Sequence, residues 1–129
     1  MNNTLLNILR KIYLISLLLF LIIYLYPGSI IGYIFYGNLK IQPDLIKSPL
    51  GTSINHILAF IYISLIAFVS ASKEKFKTTI YFIFSLAIFL EFTHLFIPHR
   101  SFELLDLVGN IFGVTISFLM LLLVRSIQR

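Results

Sequence analysis

The sequence predicts an all-α integral membrane protein, with four transmembrane helices in an antiparallel bundle and both termini in the cytoplasm. Three observations carry this. Of 129 residues, 59% are hydrophobic and 12% charged, with a mean hydropathy of +0.98; soluble domains are roughly 45–50% apolar and about 25% charged. A soluble domain this small leaves too much surface wet to hide so many apolar side chains. The apolar residues also fall into four runs of helical length, and the basic residues are spread unevenly around them. Disordered, collagen-like and coiled-coil chains are excluded by the same composition.

The first helix is expected over residues 5–26. No Asp, Glu, Lys or Arg occurs from Ile12 to Leu39, and Pro27-Gly28 ends the run. Its basic start resembles a signal peptide, but the apolar run is long for that role and Tyr24, Tyr26 and Pro27 make a poor cleavage site. Residues 27–53 are expected as an exterior loop. Tyr33, Phe35 and Tyr36 stand there beside Gly28, Gly32, Gly37 and Pro43, a mixture that also suits a short interfacial or re-entrant segment. The second helix is expected over 54–72, the third over 78–97 and the fourth over 102–124. About 20 residues rising roughly 1.5 Å each cross a ~30 Å hydrocarbon core. The runs lack the alternation of a membrane β-strand. No domain boundary or repeat divides residues 1–129.

Basic residues orient the bundle. Arg10, Lys11, Lys73, Lys75, Lys77, Arg125 and Arg129 fall on one side, and Lys40, Lys47 and Arg100 on the other. The positive-inside rule puts the larger group in the cytoplasm. The net charge of +5 and pI near 9.6 raise the question of nucleic acid, but the ten Lys and Arg form no basic stripe interleaved with aromatics, so none is expected as a partner. The expected partner is the bilayer. Cys is absent, which removes disulfides, thiolate metal sites and cysteine nucleophiles.

Polar residues inside a membrane are costly, so their placement is informative. Asn55 and His56 open the second helix, Glu91 and His94 close the third, and Asp106 and Asn110 lie near the start of the fourth, all at the exterior end. The link Ile97-Pro98-His99-Arg100-Ser101 reads as a tight turn, with Ser101 capping the next helix and Glu103 in its first turn. Glu91 lies eight residues before His99 and Asp106 seven after it, so the carboxylates reach similar depth. Glu91 and His94 share a face, as do Asp106, Asn110 and Gly113. Gly109, Gly113 and Ser117 form a small-residue groove for a neighbouring helix. Arg100 is expected within salt-bridge reach of Asp106 or Glu91. The candidate polar pocket is therefore His56, Glu91, His94, Arg100, Asp106 and Asn110.

The hairpin from Glu91 to Gly113 resembles the VanZ-like membrane protein family. The family pattern runs Glu-x-x-Gln, Pro-x-Arg, a short spacer, Asp-x-x-x-Asn and a Gly three residues on. Glu91, Pro98, Arg100, Asp106, Asn110 and Gly113 occupy the matching places, with His94 where Gln is usual. Upstream, Thr52-Ser-Ile-Asn-His56 keeps the His of Asp-Lys-x-x-His while Thr52 and Ser53 replace the Asp-Lys pair. The resemblance implies a multi-pass protein of the bacterial cytoplasmic membrane, associated through its family with low-level resistance to the antibiotic teicoplanin.

Three function classes stand open. The pocket binds a lipid or cell-wall precursor head group; or a small membrane enzyme uses Glu91 or Asp106 as acid–base on a lipid-linked substrate, with Arg100 holding an anionic group; or the polar residues are a buried ion network in a structural subunit. His56, His94, Glu91 and Asp106 are metal-donor types, but no HExxH spacing occurs, and no metal or cofactor is expected.

Overall fold

A chain crossing hydrocarbon must satisfy its backbone hydrogen bonds within itself, and long apolar runs do so as helices. The computed structural model describes residues 3–43 and 54–127. It contains α1 (Asn3–Leu25), α2 (Ile30–Tyr36), α3 (Ile54–Ser70), α4 (Phe76–Thr93) and α5 (Leu104–Ile127), with no strand among the described residues. Three helices, α1, α4 and α5, are long and apolar enough to cross a membrane; α3 is a shorter apolar helix of 17 residues.

α5 lies chiefly on α3 and also on α4, while α1 leans on α3 and barely touches α4. Phe60, Ile63, Ala67 and Phe68 of α3, Ile83, Ala87 and Leu90 of α4 and Val114 of α5 form the apolar core. The α3–α5 approach depends on Gly113. A Cβ there would stand 2.6 Å from the Ile57 carbonyl oxygen and 3.0 Å from Phe60 Cβ, so only glycine lets the two backbones meet. One turn on, Ser117 Oγ donates to the Ile61 carbonyl across the same contact (3.0 Å). Gly109, Gly113 and Ser117 are all buried.

The segment after α1 is not a plain loop. Ser29 caps α2 by accepting from the Gly32 N–H (2.9 Å), and Gly37 ends it at φ 64 with its N–H on the Tyr33 carbonyl. The Ser29 N–H donates to Leu39 O (2.7 Å), folding the returning chain against α2. Gly32 sits inside the helix because a side chain there would overlap the Ile41 carbonyl. Tyr33, Ile34, Phe35 and Tyr36 stay exposed. The rest of the expected loop, residues 44–53, lies outside the described residues, including Lys47, Thr52 and Ser53.

The α4–α5 link is longer than the sequence implies. α4 stops at Thr93, and His94, Leu95 and Phe96 continue with tighter i→i−3 bonds to Glu91, Phe92 and Thr93. Pro98 explains the ending, since it disfavours helical backbone at Ile97. His99 turns the chain at φ 61. Ser101 does not cap α5: its hydroxyl donates to Glu103 Oε1 (3.2 Å), and the Glu103 carbonyl accepts from the Asp106 and Leu107 N–H groups instead.

Candidate functional site

The C-terminal ends of α1 and α4 meet the N-terminal ends of α3 and α5, and four of these helix ends deliver polar side chains into one buried network. Its centre is Tyr24, the last buried residue of α1. Tyr24 Oη donates to Glu91 Oε2 (2.8 Å) and accepts from Asn110 Nδ2 (2.9 Å). Since the Tyr24 proton is committed to Glu91, His56 Nδ1 is the donor toward Tyr24 Oη (3.3 Å) and Asn110 Oδ1 (3.2 Å). Its other nitrogen, Nε2, faces Asp106 Oδ2 at 3.7 Å. The two carboxylates therefore flank a single imidazole, with His56 Nδ1 also 3.7 Å from Glu91 Oε2.

Glu91 is fully buried and has both oxygens occupied. Oε2 also accepts from Asn110 Nδ2 (3.3 Å), and Oε1 accepts from the Glu103 N–H (3.1 Å), which ties the end of α4 to the start of α5. His94 Nδ1 lies 3.4 Å from Oε1, while its Nε2 points at the Tyr24 carbonyl (3.4 Å). Both His94 nitrogens therefore face acceptors. The ring also stacks on Tyr24, with centroids 4.7 Å apart and planes at 14°.

Of the six candidate residues, His56, Glu91, His94, Asp106 and Asn110 come together. Arg100 sits beside them but forms no ion pair with Asp106 or Glu91, contrary to the expectation drawn from opposite charges. The reason is occupancy: Glu91 is filled by Tyr24, Asn110, His94 and the Glu103 N–H, and Asp106 faces His56. Arg100 is half-buried, and its Nε is buried without a hydrogen-bond partner among the described residues. Burial pushes the guanidinium below its ordinary pKa, opposed by Tyr24, Glu91 and Asp106.

Tyr24 is the network member that sequence reasoning missed. It ends an apolar run in a chain with seven tyrosines, and such residues read as interfacial belt; nothing local marks it. Chemically, the arrangement offers a carboxylate–imidazole pair at His56 and Asp106, a saturated carboxylate at Glu91 and a guanidinium beside both. No group of three or more His, Asp or Glu among the described residues is placed to hold a metal ion.

No curated protein and no solved structure matches the chain. The family described as VanZ/LLP1 matches residues 2–125, which takes in α1 to α4, α5 as far as Arg125 and the whole polar end. On that match this apolar helical chain is a membrane protein that belongs to the VanZ/LLP1 family.

Proposed function

We propose that the protein is a multi-pass component of the bacterial cytoplasmic membrane whose polar end faces the cell exterior and binds the head group of a lipid or lipid-linked cell-wall precursor. In this reading α3 is a fourth span, since 17 residues is the short end of the spanning range, and both termini are cytoplasmic. The bundle then acts as a single unit over residues 1–129. One observation carries the reading: side chains from α1, α3, α4 and α5 converge within about two turns of the helix ends, the depth at which head groups meet hydrocarbon. Ionisable residues held at that depth mark binding or transport paths more often than plain packing. Head-group binding of this kind would reduce access of teicoplanin to its precursor target.

A second reading, a small enzyme acting on a lipid-linked substrate, draws on the His56–Asp106 pair. Asp106 is its acid–base candidate in preference to Glu91, whose oxygens are already engaged.

Teicoplanin susceptibility and membrane abundance, measured together, test the role. Asp106→Asn deletes a charge at constant size, and Arg100→Lys deletes the fork while keeping the charge. Normal abundance with altered susceptibility is the expected result. Abundance falling in step with the phenotype would favour a purely structural network, and wild-type behaviour in both variants would remove the site from this phenotype. A reporter fused to the C-terminus should be active on the cytoplasmic side; exterior activity would overturn the topology.

A further inference from the structure

We infer that Arg100 is the primary ligand contact of the polar end and that the group it takes is the phosphate of an anionic lipid, a step that rests on the head-group reading above. The structure leaves this cation without an ion pair among the described residues. Glu91 receives the Tyr24 hydroxyl, the Asn110 amide and the Glu103 N–H, and lies against His94. Asp106 stands opposite His56. The two carboxylates of the cluster thus face its own imidazoles, hydroxyl and amides. Arg100 remains with a buried Nε–H that meets no acceptor and with no ion pair among the described residues. A half-buried guanidinium in that condition is a standing site for an anion, because desolvation has already weakened its competition from water.

Its position selects the kind of anion. Arg100 lies in the link between α4 and α5, where its own N–H on the Ile97 carbonyl (3.2 Å) holds the turn. That link is flanked by apolar side chains in the open: Phe96 is 85% exposed, Leu104 65% and Leu95 59%. A cation in a link whose neighbouring Leu and Phe are exposed matches a molecule that carries a charge and acyl chains together. The guanidinium fork pairs two phosphate oxygens at once, which an ammonium cannot do. Free phosphate offers the same fork geometry without the acyl contacts, so the lipid-borne form is favoured.

The test is native mass spectrometry of the full chain in detergent, titrated in parallel with phosphatidylglycerol, with phosphate-free diglucosyl diacylglycerol and with inorganic phosphate. Wild type should retain phosphatidylglycerol in preference to the glycolipid. Arg100→Ala should weaken phosphatidylglycerol retention about tenfold and leave the glycolipid unchanged. Arg100→Lys, which preserves the charge should the alanine variant not fold, should lose an intermediate amount. Equal retention of both lipids, unaltered by either variant, would overturn the phosphate assignment while leaving head-group binding intact. Retention of neither lipid by wild type would overturn the head-group reading itself. Inorganic phosphate displacing phosphatidylglycerol mole for mole would overturn the lipid source.

Discussion

α1 and α5 are the two longest helices and both are strongly apolar, yet 28% of the α5 span is buried against 6% of α1. α5 places Asp106, Gly109, Asn110, Gly113 and Ser117 on one side, and all are buried. α1 carries bulky Leu and Ile all round, with Leu14, Ile15, Leu18, Leu19 and Ile22 exposed, and buries only Tyr24. In lipid, apolar bulk gives no reason to leave the solvent, since acyl chains are as apolar as leucine. Small and polar residues decide which helix becomes the centre. α1 is therefore held most firmly at its end, through Tyr24 and its stacking on His94, while only the partly buried Tyr13, Leu17, Phe20 and Leu21 pack along its length.

The contrast is sharpest at Gly113. Gly113→Leu should prise α3 from α5 and cost about 3 kcal/mol or more, since the added atoms meet backbone. Thermal unfolding in detergent should show the loss, while Leu18→Ala on the exposed face of α1 should leave the transition nearly unmoved. Comparable losses in both would erase the distinction between the helices. Asn110→Leu comes next: it strips partners from Tyr24, Glu91 and His56, at about 1–3 kcal/mol for buried groups left unsatisfied.

Tyr24→Phe keeps the ring and removes the hydroxyl that joins Glu91 to Asn110. An expected loss of about 1–1.5 kcal/mol should be accompanied by easier proteolysis of α1, because this residue fastens it. If α1 stays as protected as in wild type, end-on attachment is wrong. Smallest of all is Ser16→Ala. Its hydroxyl meets Tyr62 at 3.0 Å midway along α1, but the pair is exposed, and about 0.6 kcal/mol is the typical value for such contacts in membranes.

The sequence made α5 legible because its buried residues follow i, i+4, i+7 spacing, and the depth match of Glu91 and Asp106 followed from counting along a hairpin. Other features needed three dimensions. Tyr24 joins the cluster from 86 residues away from Asn110, and no local pattern distinguishes it from the other tyrosines. The Arg100 expectation failed because charge counting alone does not show that His56 reaches both carboxylates first. Ser101 has the right side chain for a cap, yet Glu103 takes the position once its N–H is engaged by Glu91. α2 was hidden by its glycines: Gly37 does break the helix, whereas Gly32 lies within it for want of room.

The polar network also bears on how the chain is made. Synthesis delivers the helices in order, N-terminus first, so Tyr24 waits in the bilayer while His56 and then Glu91 arrive, and Asn110 closes the network last. A nascent chain halted before Asn110 holds α1 to α4 but leaves Tyr24 and Glu91 short of an amide they both use. The arrival of α5 is thereby converted into a packing event.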